Sequence, residues 1–228
     1  MTLRAVLFDV DFTLARPGPE LGPEGYGRLG ERFGLELDPA RYDAARAAAI
    51  EDIQRHPELE HDEEVWIRFT EDIIRGMGGE TERARECAVA MTRAWERSEN
   101  FDLYEDALPV LEELRRYGLK LALVSNTSRD LAEFVNHHSL DVDLAISSRE
   151  HGRTKPHPTI FRAALDSLEI TAEQTAMVGD SPEDDVAGAR SLGMRAFLLD
   201  RDGRFPDEPE RLPDLYALPA ALGLERPG

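Results

Sequence analysis

The sequence predicts an α/β fold: a three-layer α/β/α core on a parallel sheet, with an all-helical domain inserted after its first strand. Three observations predict it. Short apolar runs rich in Val, Leu, Ile and Phe recur along the chain, helical patterns separate most of them, and residues 16–100 hold helical patterns alone. Runs of this length suit strands buried on both faces, and strands alternating with helices suit a parallel sheet covered on two sides.

The first run, about residues 4–9, ends in carboxylates, Phe8-Asp9-Val10-Asp11. A Gly/Pro-rich loop, Arg16 to Gly25, follows and opens the helical insert. Within the insert, Asp38-Pro39 offers a cap followed by proline at a first helical position, and Tyr42, Ala45, Ala49 and Ile53 then share a face. Val65, Trp66, Phe69 and Ile73 mark a second helix and Ala84, Ala88, Met91 and Trp95 a third. Trp66, Trp95, Met91 and Cys87 are expected to form the core of the insert.

Beyond residue 100 the rhythm becomes regular. Helices are predicted at 107–117, stopped by Gly118, at 128–138, capped by Ser128, at 158–168, and at 182–192, where Pro182 suits the first turn. Strands are predicted at 120–125, 143–147, 175–179 and 195–199, and the Pro- and acid-rich tail after Asp200 reads as an irregular edge. The resulting division is a Rossmann-like core from 1–15 and 101–228, and a helical cap domain from 16–100.

Charge narrows the range of partners. The 228-residue chain has a formal net charge of −19, which repels nucleic acid and anionic membrane. A small anion stays compatible, because a metal or local cations reverse the sign inside one pocket. Cys87 is the sole cysteine, so no intrachain disulfide forms. That usage, the absence of an apolar stretch of about 20 residues and the early first strand predict a cytoplasmic protein. A monomer or homodimer is the expected state. Lys120 and Lys155 are the only lysines, and each invites a question about its purpose.

In parallel sheets, ligands gather at the carboxyl ends of the strands. Four groups fall there: Asp9 with Asp11, Ser125 with Asn126, Asp180, and Asp184 or Asp185. Clustered carboxylates are costly to bury unless a cation shares them, and a hard divalent ion takes oxygen ligands. Asp9, held by the strand end, is the candidate nucleophile toward phosphorus. Asp11, two residues on and beside a like charge, is the candidate general acid and base. Ser125 and nearby N–H groups would bind phosphoryl oxygens, Lys155 would balance developing charge, and Asp180 with Asp185 or Asp184 would hold the metal. Arg16, Arg41 and Arg46 are candidates for substrate contact, whereas His137, His138 and His157 read as surface residues.

Asp9-Val10-Asp11-Phe12-Thr13-Leu14, Leu123-Val124-Ser125-Asn126, Lys155-Pro156 and Val178-Gly179-Asp180-Ser181-Pro182-Glu183-Asp184-Asp185 come in an order and spacing that resemble the four motifs of the haloacid dehalogenase-like hydrolase superfamily. The match runs from about residue 3 to residue 200, in the branch with a helical cap after the first motif. The resemblance implies a Mg²⁺-dependent phosphatase acting on a small phosphorylated metabolite through an aspartyl phosphate. It also implies that Asn126 accompanies Ser125 at the phosphate and that the Asp11 carbonyl joins Asp9, Asp180 and Asp185 on the metal. The following Val186-Ala187-Gly188-Ala189 favours Asp185 over Asp184 for the last acid. Phe12 departs from the family, which more often has glycine after the second aspartate.

Most rival readings are disfavoured by particular residues. A 2-haloacid dehalogenase of this fold attacks carbon and has no use for Asp11 or Asp180. Phosphonate cleavage through a Schiff base needs a cap lysine, and 16–100 contain none. A phosphoryl-transfer mutase of the same fold stays an open alternative, set apart by a cap that excludes water, which no single residue here decides. A non-catalytic binding protein has no use for the full set of nucleophile, acid, lysine and metal ligands.

Overall fold

The computed structural model describes residues 2–224; the last residues of the acid-rich tail lie outside them. In chain order, β1 (Ala5–Phe8) leads to β2 (Ala15–Pro17), and then come α1 (Pro23–Arg32), α2 (Tyr42–Asp52), α3 (Glu63–Gly76) and α4 (Ala84–Trp95). Next are β3 (Phe101–Leu103), α5 (Ala107–Arg116), β4 (Lys120–Ser125), α6 (Leu131–His137), β5 (Leu144–Ser147), α7 (Ser148–His151) and α8 (Pro158–Leu168). Then β6 (Thr175–Gly179) runs into a π-helical stretch, Pro182–Ala187, followed by α9 (Gly188–Arg190), β7 (Arg195–Leu199), β8 (Arg211–Leu212) and α10 (Leu218–Ala221). The chain divides into two compact units, Pro17–Asp102 and the remainder.

The larger unit is built on a six-stranded sheet of order β5-β4-β1-β6-β7-β8, with parallel pairing throughout. β1 lies at its centre, with Phe8 opposite Leu123 of β4 and Val178 of β6. Every side chain of β1 is buried, which explains its unbroken apolar run. Ala5, Leu7, Ala122, Val124, Met177 and Leu198 pack on one face against Ile160, Phe161, Ala164 and Val186. Lys120 serves this packing, donating its ammonium to the last-turn carbonyl of Leu168 at 2.8 Å.

The smaller unit holds α1 to α4, with α3 packed against both α2 and α4. Asp38 and Asp62 cap their helical turns through side-chain bonds to Ala40 N and Glu64 N. Cys87 and Met91 are buried in it, whereas Trp66 and Trp95 are only half-buried and stack edge-on with Phe69 and Phe101.

Several local expectations are corrected. The tail contributes a strand, β8, to the sheet edge, and β2 pairs with β3 where the chain leaves and re-enters the core. The helix predicted from 128 begins at Leu131, with Asp130 rather than Ser128 accepting a hydrogen bond from Glu133 N at 3.0 Å. His157 is not a loose loop residue: its ring accepts from Thr159 N and caps α8. The helix predicted over 182–192 starts as a π-turn instead, with Val186 N donating to Ser181 O.

Phe12 takes a left-handed conformation, φ 62°, in the tight loop after β1, where its N–H donates to Ala15 O. This costs about 1–2 kcal/mol for a residue with a Cβ. Comparing Phe12→Gly with Phe12→Ala cancels the lost ring, so the glycine variant is expected to be the more stable by about 1 kcal/mol in urea unfolding. Equal stability would show that the loop relaxes.

Candidate active site

The site grows from the central strands. β1 ends at Phe8, and the next residue, Asp9, keeps sheet pairing through its N–H to Val178 O at 2.9 Å. Its carboxylate therefore stands on rigid backbone at the sheet rim, 6 % exposed. Ser125 ends β4 on one side and Asp180 follows the end of β6 on the other. Adjacent strands thus bring together residues more than 100 positions apart in sequence.

Asp9, Asp180 and Asp185 each offer an oxygen, and these oxygens lie within 4.8 Å of one another. Lys155 Nζ sits among them, 2.5 Å from Asp9 Oδ1 and 2.6 Å from Asp185 Oδ1. Lys155, Asp9 and Asp185 are all buried. One ammonium against three carboxylates leaves the cluster short of positive charge, and the titration behaviour reflects this. Burial, only partly offset by Lys155, pushes Asp9 well above the usual carboxylate range, and Asp185 and Asp180 add to the rise. Burial and Asp185 together push Asp180 up to about 7 against the pull of Lys155 and Arg204. Burial alone would weaken the Lys155 ammonium; Asp185 and Asp9 outweigh it and hold it above its usual value.

The π-turn decides which of two adjacent acids faces this cluster. Asp185 turns inward, its second oxygen accepting from Ser181 N at 3.0 Å. Asp184 meets the Asn126 amide at 3.3 Å and lies outside the group of three. The inward turn requires Gly179: a Cβ there would stand 2.1 Å from Asp185 Oδ2. The last residue of β6 is therefore glycine because a carboxylate occupies the space of a side chain.

Ser125 is buried at the rim. Asn126 has both ends of its amide on Lys155, accepting from Lys155 N at 2.6 Å and donating to Lys155 O at 3.0 Å. Its side chain thus fixes the lysine's backbone, a placement that the spacing of the motifs did not anticipate. Asp11 stands outside the three-carboxylate group. Its carboxylate is held by Arg129, with Nη1 and Nη2 each 3.0 Å from Oδ1 and Nη2 3.2 Å from Oδ2. Sequence reasoning missed Arg129, because an arginine in the polar stretch Ser125-Asn126-Thr127-Ser128-Arg129-Asp130 reads as solvated. Its burial was the informative property, and only tertiary packing reveals it.

The oxygen-only donor set and the deficit of positive charge fit a hard divalent cation. Arg16 belongs to the larger unit, with its guanidinium 5.7 Å from the Tyr104 ring centre, and Arg41 and Arg46 belong to the helical unit.

Comparisons with known proteins agree with this picture. The family model for haloacid dehalogenase-like hydrolases matches residues 3–193. The chain is 34% identical over 244 residues to a phosphoserine phosphatase of Thermus thermophilus, covering 93% of this chain and 94% of that protein. It is 29% identical to a ribulose-1,5-bisphosphate 5-phosphatase of Halopiger xanaduensis, covering 86% of this chain and 84% of that one. Its fold is similar to the crystal structure of a HAD phosphatase from Thermococcus onnurineus, with TM-score 0.67, 27% identity, and 99% and 100% of the two chains covered. With the motif loops converging on one sheet rim and a family match over most of its length, the chain belongs to the haloacid dehalogenase-like hydrolases.

Proposed function

We propose that this protein is a Mg²⁺-dependent phosphatase that hydrolyses a small phosphomonoester through an aspartyl phosphate on Asp9. The observation that carries the reading is the trio Asp9, Asp180 and Asp185 gathered at the rim of the sheet, with the Lys155 ammonium touching Asp9 and Asp185. These three would hold the ion, with the Asp11 carbonyl beside them. When bound, the ion supplies positive charge to the phosphoryl oxygens and to the nucleophile.

The remaining chemistry belongs to the chain. Asp9 attacks phosphorus from a position fixed by β1, and the bond to the departing alcohol breaks as that alcohol takes a proton from Asp11. A water then attacks the phosphoryl group and gives its proton to Asp11, which releases phosphate and restores Asp9. Ser125 and the N–H groups of the loop after β4 bind phosphoryl oxygens. Lys155 keeps Asp9 and Asp185 compatible in one buried site and balances charge as the phosphoryl group transfers. Asn126 contributes by holding the Lys155 backbone.

The helical unit, Pro17–Asp102, serves as the cap that selects the substrate. The relatives are named for phosphoserine and for a sugar bisphosphate, so small size and a phosphate ester are the properties carried over. The net charge of −19 argues against nucleic acid or anionic membrane as partner, and no helix among the described residues is long and apolar enough to cross a membrane. A reducing, cytoplasmic setting suits Cys87, a buried thiol that burial pushes up to about 11. A monomer or homodimer completes the reading.

A panel of phosphorylated metabolites assayed with Mg²⁺ and with EDTA tests the proposal. Turnover is expected to require the metal, and Asp9→Asn is expected to lower kcat by at least about 10³-fold. Turnover that survives either change would overturn the mechanism.

Asp180 gives a second test, in stability. Its folded pKa lies above the unfolded value near 3.8, so the folded chain holds this proton longer. Its stabilising contribution is therefore present below about pH 4 and is lost as pH rises to about 7. In EDTA, the stability of wild type relative to Asp180→Asn is expected to fall across that window and stay level above it. Millimolar Mg²⁺ at pH 8 should restore the wild-type advantage, because it binds only the ionised site. Thermal unfolding reads both, and a pH-independent difference would contradict the account.

A further inference from the structure

We propose that Arg129 is a positioning residue for proton transfer: its guanidinium holds the Asp11 carboxylate in the orientation that serves the leaving group. The inference rests on the reading of Asp11 as the acid and base. The Arg129 side chain is fully buried, whereas that of Asp11 is 20 % exposed. One end of the pair is thus embedded and the other looks outward. Arg129 lies in the loop between β4 and α6, where its N–H donates to Thr127 Oγ1 at 3.1 Å and its guanidinium lies 5.2 Å from the centre of the Phe134 ring. Arg149 ties the same loop through Ser128 O at 3.0 Å. The fork therefore stands on a braced base.

The contacts suit positioning. Nη1 and Nη2 both reach Asp11 Oδ1, and Nη2 also reaches Oδ2, so the fork touches both oxygens and fixes the plane of the carboxylate. An acid must stand within hydrogen-bond reach of the atom it protonates, and a short side chain just before the left-handed residue Phe12 rotates freely unless something fixes it. Lysine, a point charge, cannot reproduce the two-pronged grip. A guanidinium present only to satisfy packing would matter equally for every substrate. One that acts through Asp11 matters only when the leaving group needs a proton.

The test uses the full chain with saturating Mg²⁺ and a series of phosphate monoesters from phenyl phosphate to 2,4-dinitrophenyl phosphate. Their kcat/KM values report the phosphoryl-transfer step. Arg129→Met is expected to lower kcat/KM for phenyl phosphate by about 10²-fold or more, the usual size of a lost general acid. For 2,4-dinitrophenyl phosphate, whose leaving group needs no proton, the loss should stay below about 5-fold. Asp11→Asn should show the same slope, and the double variant should lose no more than Asp11→Asn alone. Arg129→Lys covers the case in which the methionine variant does not fold, and should give an intermediate slope. Losses uniform across the series, or a lysine variant equal to wild type, would overturn the role of Arg129. A wild type with no Mg²⁺-dependent turnover of any ester would instead overturn the phosphatase reading on which it rests.

Discussion

Three carboxylates and one ammonium crowded at the sheet rim, all but Asp180 buried, are the constraint that organises the rest of this protein. Each carboxylate pair at such separations repels by about 3 kcal/mol even at a generous effective dielectric. Lys155 offsets part of this by touching Asp9 and Asp185 at once. The remaining imbalance appears as the raised proton affinity of Asp9 and Asp180. A chain that needed only stability would have filled this rim with apolar side chains. Retaining the charges makes sense where a cation and a phosphate are to be bound, and the family to which the chain belongs supplies that context.

Much of the surrounding architecture serves to hold those four groups still. The central strand extends its pairing through Asp9 N, so the nucleophile candidate cannot swing with a loop. Asn126 grips the backbone of Lys155 from the neighbouring strand end. The π-turn and Gly179 together admit Asp185 where an ordinary side chain would collide. Arg129 does for Asp11 what Lys155 does for Asp9: each is a buried cation holding an acid in place. The two cations differ in kind, because a fork fixes orientation and a point charge balances charge.

The sequence made the sheet legible because both of its faces are buried. Strands such as Lys120–Ser125 and Thr175–Gly179 stand out as apolar runs between helical patterns. Elements of two or three residues, β2, β3 and β8, were not legible, because so short a segment carries no periodicity. The motif that follows favoured Asp185 over Asp184, but the π-turn that aims it inward adds one residue to a helical turn, which apolar spacing cannot display. Lys155 was conspicuous because lysine is scarce in this chain. Arg129 was invisible for the converse reason, one arginine among many in a polar loop. The motifs located the acids, and packing determined which atoms they meet.

The central claim is that Asp9 becomes covalently phosphorylated during turnover. Rapid acid quench of the enzyme with Mg²⁺ and an active ester, followed by borohydride reduction and peptide mass spectrometry, tests it most directly. Reduction of an acyl phosphate converts the aspartate to homoserine, and the account predicts that conversion at Asp9 alone. Turnover with Asp9 unmodified, or with homoserine at Asp11 or Asp180, would contradict it.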